Sequence, residues 1–425
     1  MSNQLYNTID LFAGCGGLLE GFKQSGSYNT IACVEWEKPQ VENLTNRLKV
    51  RWGYSDSEER VLHFDMQRTQ ELIKGWENDD EYGTHLGLEE LVSKSPRGEV
   101  DVIVGGPPCQ AYSLAGRIRD ENGMRDDYRN YLFESYLEVV KRFKPKFFVF
   151  ENVQGMLSSK PDGKILVTDL IRKAFNKSGY DVIDNFQHAL FNATAFGVPQ
   201  NRKRVIILGV NKEYYGNKTK EILDMFYNEI IPKHFVNKTC TVRDAISDLP
   251  KIIPADVEYK DGGKRFSHIP SKFLVPNHIP RYSNKRDIQI FKDLAQDLEI
   301  GENKYVTTDA LKALYTERTG KESKIHKYYV LRWDEPSNTI PAHLYKDGLR
   351  HIHPDSTQAR SITVREAARL QTFDDDYEFI GSIGDQYKMI GNAVPPLMSR
   401  AIALSVAQLL QNNSRNKKDC VLISD

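Results

Sequence analysis

The sequence predicts an α/β protein with one large domain and a second, smaller one. Short apolar runs rich in β-branched and aromatic residues alternate with helical patterns through the first half of the chain, which is typical of a parallel sheet wrapped by helices. At 425 residues the chain exceeds one typical domain. After Val210 the alternation stops, and aromatic, proline and basic residues interleave instead. These observations indicate two domains of different character.

Five apolar runs are predicted to be buried strands, at 8–12, 30–34, 101–104, 147–150 and 205–208. Helical patterns lie between them, at 131–140 and 164–176. Near the end of the chain, Thr363 with Glu366 three positions later predicts a capping box at a helix N-terminus. The segment 398–410 is apolar at helical spacing, and we expect it to pack back on the first domain.

The charges of the chain are balanced, with 58 Lys and Arg residues and 58 Asp and Glu residues. The total charge therefore gives no indication of a nucleic-acid partner. Any DNA-binding surface must arise from local segregation of charge. The five cysteines form no Cys-x-x-Cys pair and no His-linked spacing. This favours reduced thiols and suggests neither a zinc site nor a disulfide framework.

The compartment is also predicted from the sequence. Residues 1–8 lack a basic stretch followed by an apolar one, so we expect no signal peptide. Apolar runs such as 205–210 are too short to span a bilayer. We therefore expect a soluble, cytoplasmic protein with no membrane partner.

A glycine-rich turn follows the first predicted strand, in Asp-Leu-Phe-Ala-Gly-Cys-Gly-Gly at 10–17. Such glycines let a ligand approach the backbone, and the next helix offers free N–H groups. Glu35 ends the following strand, where a carboxylate can hold both hydroxyls of a ribose. Trp36 can stack on an adenine, although a packed surface tryptophan is an equal alternative. Because the spacing is not G-x-G-x-x-G, a nucleoside without a pyrophosphate fits better than NAD or ATP.

The stretch Gly-Gly-Pro-Pro-Cys-Gln at 105–110 presents Cys109 beyond the end of the third predicted strand. A cysteine is most often a buried apolar residue, which is the plainer interpretation. The prolines, however, fix the turn, and α/β sheets bind ligands at the carboxyl ends of their strands. As a thiolate Cys109 would be a strong nucleophile, provided that helix N–H groups or a nearby cation raise its ionised fraction.

Glu151 ends the apolar strand at 147–150. Burial favours the protonated form of a carboxyl group, which suits a proton donor or a partner for the ring nitrogen of a base. A salt-bridged structural glutamate is the alternative.

Arg202 and Arg204 alternate just before the last predicted strand, and both can donate to an anion or a carbonyl. Alternating arginines are common at a sheet edge, so this pair is a weak signal by itself.

In order along the chain, these motifs resemble the family that methylates carbon 5 of cytosine in DNA with S-adenosylmethionine. The resemblance covers nearly the whole chain. It rests on the segments 10–17, Glu35 with Trp36, 105–110, Glu-Asn-Val at 151–153, Gln-x-Arg-x-Arg at 200–204, Arg-Glu-Ala-Ala-Arg-Leu-Gln-Thr-Phe at 365–373 and Gly-Asn-Ala-Val-Pro at 391–395. It implies a Rossmann-like S-adenosylmethionine-dependent methyltransferase domain with a second, smaller target-recognition domain.

The resemblance implies a role for each candidate catalytic residue. Cys109 attacks carbon 6 of a cytosine that is turned out of the helix, as methyltransferases do to reach a base. Glu151 engages the ring nitrogen and the exocyclic amine, and carbon 5 takes the methyl group before a base removes its proton and Cys109 leaves. Arg204 and Arg202 hold the cytosine carbonyl and a neighbouring phosphate. The product is S-adenosylhomocysteine, and no metal is implied.

A cofactor site is implied in the same way. Glu35 takes the ribose, Trp36 the adenine face and Asp65 the adenine amine, although Phe-Asp-Met at 64–66 is a loose version of the family's Gly-Asp-Ile. The other cofactor-binding residues are Phe12, Gly14, Gly16, Leu18, Pro108, Asn392, Ala393 and Val394. Asp374 stands where the family usually has proline, which concerns the end of a helix and not the chemistry.

The resemblance also divides the chain. Residues 1–234 form the first part of the catalytic domain, 235–330 form the target-recognition domain, and 331–425 return to the catalytic domain with a C-terminal helix and a tail. Residues 110–128, with Arg117, Arg119 and Arg125, are expected to close over double-stranded DNA.

Two alternatives remain open at this point. An RNA methyltransferase acting on tRNA shares the fold and the motifs, although a sizeable recognition segment argues against it. A catalytically inactive binding module is the second, and an intact Cys109 and Glu151 argue against it. We expect a stand-alone bacterial enzyme of the restriction-modification type that acts as a monomer. A cognate restriction endonuclease with the same site is left open.

Overall fold

The computed structural model describes residues 5–107, 132–160, 164–270, 275–322, 328–346 and 348–421, with side chains described to residue 412. The chain divides into two compact units. The first unit comprises Met1–Gly197, Lys203–Asn237 and Ala393–Asp425. The second comprises Val198–Arg202 and Lys238–Asn392.

The strands of the first unit include all five that the apolar runs predict. In the part of the chain that the structure describes they are β1 (Tyr6–Leu11), β2 (Tyr28–Glu35), β3 (Val61–His63), β4 (Trp76–Asp79), β5 (Gly83–His85), β6 (Val102–Gly105), β7 (Phe147–Val153), β8 (Tyr180–Asp181), β9 (Leu190–Asn192) and β10 (Lys203–Asn211). One eight-stranded sheet has the order β3-β2-β1-β6-β7-β10-β8, and β9 pairs with β10 beside this path. Strands β4 and β5 form a separate hairpin.

Helices follow most strands. The described α-helices are α1 (Gly17–Gln24), α2 (Lys38–Val50), α3 (Ser57–Arg60), α4 (Thr69–Lys74), α5 (Gly87–Ser93), α6 (Leu132–Phe143), α7 (Val167–Lys177), α8 (Lys212–Tyr215), α9 (Thr219–Asp224), α10 (Val242–Ile246), α11 (Lys285–Glu299), α12 (Thr308–Thr319), α13 (Val364–Leu370), α14 (Ile383–Asn392) and α15 (Pro396–Val421). Short 3₁₀ turns lie at Gln154–Ser158, Phe186–Ala189, Ala193–Phe196, Gly216–Lys218, Ile231–His234 and Gly348–Arg350, and a π-helical turn at Met225–Ile230. The predicted helices at 131–140, 164–176 and 398–410 correspond to α6, α7 and α15.

The order of the strands indicates where this sheet would bind a ligand, which is beyond the carboxyl ends of its central strands. β1 pairs in parallel with β2 on one side and with β6 on the other. The chain runs outward from β1 to β2 and β3 and then returns to β6, so the strand order reverses beside β1. Open α/β sheets bind their ligands at this reversal, beyond the carboxyl ends of the strands.

The last strands depart from the parallel arrangement that the alternation of strands and helices predicts. β10 is antiparallel to β7, β8 and β9. The apolar run at 205–208 predicts burial correctly but carries no information on strand direction, because a buried strand reads the same either way. The amino end of β10 therefore lies at the edge where β1, β6 and β7 end.

The second unit is less regular, as the change of composition after Val210 predicts. Its described strands, β11 (Ile253–Asp261) and β12 (Lys264–Ile269), form an antiparallel hairpin. Helices α11 and α12 pack with Tyr328, Val330 and Ile352 in a buried apolar cluster. At α13 the predicted capping box between Thr363 and Glu366 is confirmed.

The boundaries of the second unit differ from the predicted domain at 235–330, because 331–392 group with it. Hydrogen bonds within the unit explain this. The Ile252 N–H donates to Gln358 Oε1 over 3.0 Å, and Arg365 Nε donates to the Pro276 carbonyl over 2.9 Å. The functional division of the chain stays a prediction.

One described stretch, Ile383–Asn412, has the length and apolar composition to cross a bilayer, but 78% of its most apolar window is buried inside the fold. A mostly buried apolar helix of this kind is typical of a protein core. This stretch therefore indicates no membrane protein.

Candidate active site

The glycine-rich turn leaves β1 through three residues with left-handed backbone. Phe12 has φ 59°, Gly14 φ 59° and Gly16 φ 85°. A side chain on Gly16 would also lie 2.6 Å from Leu44 Cδ1, so glycine is required there by conformation and by space. Gly16 precedes the first turn of α1 and no side chain caps that helix. The turn therefore presents backbone N–H groups at the carboxyl edge of the sheet.

Glu35, at the end of β2, organises this turn. Its carboxylate accepts the N–H groups of Gly14, Trp36 and Glu37 over 2.8, 2.9 and 2.8 Å. Burial raises the pKa of the Glu35 carboxyl, and these N–H donors oppose that effect. Because two carboxylate oxygens accept about four hydrogen bonds, Glu35 retains capacity for a further donor.

Trp36 stands in the open beside Glu35, with 52% of its surface exposed. Its carbonyl oxygen lies 2.9 Å from His63 Nε2, and its side chain interacts with that of Tyr82 on the β4–β5 hairpin. Asp65 follows β3, where its Oδ1 accepts the Gln67 N–H over 2.9 Å. Since His63 pairs with Glu35 in the sheet, the structure brings Trp36 and Asp65 to neighbouring strand ends.

The start of α1 contacts the segment before α15. A Cβ on Gly17 would lie 2.4 Å from the Val394 carbonyl oxygen and 2.9 Å from Ala393 Cβ. The hydroxyl of Ser399 donates to the Leu18 carbonyl over 2.6 Å. Leu18, Ala393 and Val394 are thus brought to the glycine-rich turn, although Ala393 follows Leu18 by 375 residues in the sequence.

Glu151 forms the second part of the site. It lies in β7 and is 9% exposed, and its Oε1 is 2.7 Å from Arg204 Nε. The antiparallel register places Arg204 opposite Val153 and Ile206 opposite Glu151, so Arg204 and Glu151 are diagonal neighbours on one face of the sheet. Burial lowers the pKa of the Arg204 guanidinium, and the Glu151 carboxylate raises it. A carboxylate and a cation are therefore held together at the same edge as the glycine-rich turn.

Gly106 makes this arrangement possible. A Cβ at this position would lie 2.5 Å from Glu151 Oε2. Sequence reasoning missed this contact. The Gly-Gly pair at the end of β6 is the only signal in the sequence, and it does not say which side chain occupies the space. Tyr82 was missed as well, because the sequence gives no indication that the β4–β5 hairpin reaches Trp36.

Arg202 and Arg204 have different surroundings, contrary to the expected alternation along one strand. β10 begins at Lys203, so Arg202 precedes the strand and need not follow its alternation. In the second unit Arg202 is 1% exposed and donates to the carbonyls of Ile340 and Gly391 over 3.2 and 2.9 Å. Asn392, the next residue after Gly391, ends α14 and is exposed. These contacts hold the backbone of the second unit, and a catalytic role of Arg202 stays a prediction.

Several predicted site residues lie outside the described residues. They are Pro108, Cys109 and the segment 110–128 with Arg117, Arg119 and Arg125. Within the described ranges, no group of three or more His, Cys, Asp or Glu side chains is arranged to hold a metal ion.

Comparison with known proteins identifies the family. Residues 6–408 match the family of C-5 cytosine-specific DNA methylases. The chain is 33% identical to the type II methyltransferase M.Bpa9945I of Bacillus paralicheniformis, covering 95% of this chain and 99% of the relative. It is 31% identical to the type II methyltransferase M.AgeI of Thalassovita gelatinovora, covering 94% and 98%.

Solved structures agree in fold. A DNA modification methyltransferase encoded within an E. coli prophage superimposes with a TM-score of 0.57 at 24% identity, over 96% of this chain and 99% of that chain. The S. pombe Dnmt2 methyltransferase gives a TM-score of 0.51 at 14% identity, over the same shares. The sheet is thus the Rossmann-like one of S-adenosylmethionine-dependent methyltransferases. This chain belongs to the C-5 cytosine-specific DNA methylase family, and it is a DNA cytosine-5 methyltransferase.

Proposed function

We propose that the enzyme turns a cytosine out of a specific short DNA sequence and methylates its carbon 5 through a covalent adduct with Cys109. The observation that carries this proposal is the Glu151–Arg204 pair beside Gly106. Cys109 follows Gly106 by three residues in the sequence, and three residues of extended chain span at most about 11 Å.

Each of these residues has a step in the proposed reaction. The Cys109 thiolate forms a bond to carbon 6 of cytosine, and the displaced electron pair makes carbon 5 nucleophilic. Glu151 engages the ring nitrogen and the exocyclic amine, while Arg204 donates to the carbonyl and stabilises the charge that develops on the ring. After carbon 5 has accepted the methyl group, a base removes its proton, and the carbon–sulfur bond breaks to return the thiolate.

The residues at the glycine-rich turn fit S-adenosylmethionine, the methyl donor that the family implies. The turn at Gly14 and Gly16 leads into α1, whose first backbone N–H groups no side chain caps, Glu35 has capacity for a ribose hydroxyl, and the exposed Trp36 offers a face to an adenine. Asp65 would accept the adenine amine, and Phe12, Leu18, Ala393 and Val394 would line the remainder. Pro108 and Asn392 complete the proposed set. When bound, S-adenosylmethionine supplies an electrophilic methyl group on a sulfonium sulfur.

The adduct is tested with a duplex that carries 5-fluorocytosine, because fluorine at carbon 5 cannot leave as a proton. We expect wild-type enzyme with S-adenosylmethionine to form a complex with this duplex that resists denaturation, and Cys109→Ala to form none. The control is Cys240→Ala, which should behave as wild type. A trapped complex with Cys109→Ala would remove Cys109 from the mechanism, and methyl transfer by that variant would do the same.

We further propose that residues 235–330 select the target sequence in double-stranded DNA. Exchange of this segment for that of a relative should change the sequence that is methylated, as read by bisulfite sequencing. Methylation of the original sequence by the chimera would place recognition elsewhere.

A separate comparison tests the RNA alternative. Methyl transfer to duplex DNA and to tRNA should be measured side by side, since methylation of tRNA alone would favour an RNA methyltransferase.

The cellular setting belongs to the same proposal. A methylase of chromosomal DNA acts inside the cell, and the type II relatives are consistent with a restriction endonuclease that cuts the unmodified site. We propose that the enzyme acts as a monomer. Sedimentation at working concentration tests this directly, and a dimer would contradict it.

A further inference from the structure

The β11–β12 hairpin of the second unit projects into solvent. Its two-residue turn consists of Gly262 and Gly263, with φ 51° and 78°, and a Cβ at either glycine would have no atom within 4 Å. The residues from Tyr259 to Arg265 are all exposed. Stacking of Tyr259 on Phe266, with ring centroids 5.3 Å apart, stiffens the hairpin behind its tip.

A preorganised arginine lies just behind this tip. The Arg265 guanidinium lies over the Tyr282 ring, 4.5 Å from its centroid. Its Nη2 donates to Glu258 Oε2 over 2.5 Å and to the Tyr282 hydroxyl over 2.9 Å. The Tyr282 hydroxyl in turn lies 3.2 Å from both Glu258 oxygens. One nitrogen is therefore fixed by two partners, while Arg265 remains 56% exposed.

The exposed N–H groups of Arg265 are available to donate hydrogen bonds to a bound partner. A guanidinium has five N–H groups, and those on Nε and Nη1 have no hydrogen-bond partner among the described residues. The stacked ring and the carboxylate restrict the orientation of the side chain, so little conformational entropy is lost on binding. A surface ion pair of this kind contributes little to stability, because water screens the attraction between exposed charges. Its geometry is better explained by recognition.

We propose that the β11–β12 hairpin enters the major groove of the target DNA and that Arg265 reads a guanine there. This inference rests on the proposed function of the second unit. A two-stranded ribbon fits the major groove, and arginine donating to the O6 and N7 acceptors of guanine is the commonest specific contact there. Because Glu258 and Tyr282 engage Nη2, Arg265 donates to one of these two acceptors through Nη1. Residues 260–265 carry three cations and one anion, so the tip has the charge that approaches phosphates.

The test uses four variants at three residues and a plasmid library in which the bases around the methylated cytosine are randomised. Wild-type enzyme first defines the target by bisulfite sequencing. With Arg265→Ala, discrimination at one guanine of the target should fall about 5-fold, the lower end of the range for a bidentate contact, while the other positions keep their preference. Arg265→Lys should restore it only partly, because lysine cannot reproduce the planar geometry.

Two controls separate base reading from general attraction. Lys264→Ala, beside Arg265 at the tip, should weaken methylation uniformly across sequences and reduce the salt dependence of binding. Arg286→Ala removes an equally exposed arginine that is also paired to a carboxylate, and it should leave target preference unchanged.

A failure of the role proposed for Arg265 can be told apart from a failure of the proposed function. A wild-type enzyme that methylates no DNA contradicts the proposed function. A wild-type enzyme with a defined target, together with an Arg265→Ala variant whose preference is unchanged or uniformly weakened, overturns the role of Arg265 alone. Thermal melting of each variant should match wild type, because the three substituted side chains are exposed.

Discussion

Glu151 depends on two neighbours for its position, the guanidinium of Arg204 and the bare Cα of Gly106. The first holds Oε1 at 2.7 Å, and the second leaves space for Oε2. Both contacts lie near the carboxyl end of β7. We conclude that the space at Gly106 serves the placement of the carboxylate.

Gly106→Ala tests this conclusion. The new Cβ would lie 2.5 Å from Glu151 Oε2, so the end of a side chain must move, and the fold should remain intact. A misplacement near 1 Å can cost about 100-fold in rate, and we expect kcat to fall by about 10- to 100-fold with little change in cofactor affinity. Gly384→Ala is the control, because its Cβ would make only ordinary contacts beyond 3.4 Å. Wild-type kcat for Gly106→Ala would refute the positioning role.

Trp36 gives a second prediction at this scale. Because half of its surface is exposed, Trp36→Ala should leave the melting temperature close to that of wild type. Loss of a stacking platform for adenine should raise the dissociation constant of S-adenosylmethionine about 5- to 100-fold, since base–aromatic stacking contributes about 1–3 kcal/mol. Titration calorimetry measures this. An unchanged dissociation constant would make Trp36 a surface residue without a cofactor role.

At the scale of elements, α1 and α15 approach each other unusually closely. A Cβ on Gly21 of α1 would lie 2.4 Å from the Arg400 backbone nitrogen and 2.5 Å from Ser399 Cβ. Backbone atoms of α15 cannot move aside as a flexible side chain can. The contact therefore requires glycine on α1.

Gly21→Ala should force these helices apart. We expect the free energy of unfolding to fall by about 1–3 kcal/mol, as for other overpacked sites. Urea denaturation of Gly21→Ala and wild type gives the difference. Equal midpoints and slopes for the two proteins would show that α1 and α15 are less tightly packed than the structure has them.

Some of the strands and helices could be predicted from the sequence, and others could not. Buried strands were predictable because runs such as 147–150 are apolar and are followed by turn or charged residues. The direction of β10, the short strand β3 and the β4–β5 hairpin were not, because pairing depends on partners distant in the chain. The capping box of α13 was predictable because it is local.

In the candidate site too, features local in the sequence were predictable, whereas contacts between distant segments were not. The positions of Glu35, at the end of β2, and of Glu151, two residues before the end of β7, could be approximated from the sequence, since each follows an apolar run. The contact of Gly106 with Glu151 and that of Tyr82 with Trp36 could not, because each joins separate elements. Arg202 differs from Arg204 only because the strand begins between them, and strand boundaries are the least reliable part of a sequence-based prediction.

At the scale of the whole molecule, buried histidines make the second unit sensitive to acid. Burial lowers the pKa of His353 to about 3, and those of His268 and His351 to about 4. Burial acts to raise the pKa of Glu366, but Arg360 and His353 outweigh it and hold that pKa well below its ordinary value. All four groups therefore bind fewer protons in the folded state than in the unfolded state at acid pH.

The sign of the pH dependence follows. In the unfolded chain histidine takes up a proton near pH 6.5, whereas these folded histidines stay neutral to about pH 4. Stability should therefore fall as the pH decreases from about 6.5 towards 4, and Glu366 adds to the loss below its ordinary pKa. Calorimetry at pH 7.5 and 5.0 should show a lower melting temperature at pH 5.0. His353→Gln should reduce this dependence, whereas exposed His188→Gln should not, and equal melting temperatures at both pH values would contradict the account.

The central claim is that this protein methylates cytosine at one short DNA sequence. Bisulfite sequencing of an unmethylated plasmid, incubated with the protein and S-adenosylmethionine, tests it most directly. We predict that protected cytosines recur in a single short context that contains a guanine, and that Cys109→Ala protects none. A plasmid converted at every cytosine after incubation with wild-type protein would contradict the claim.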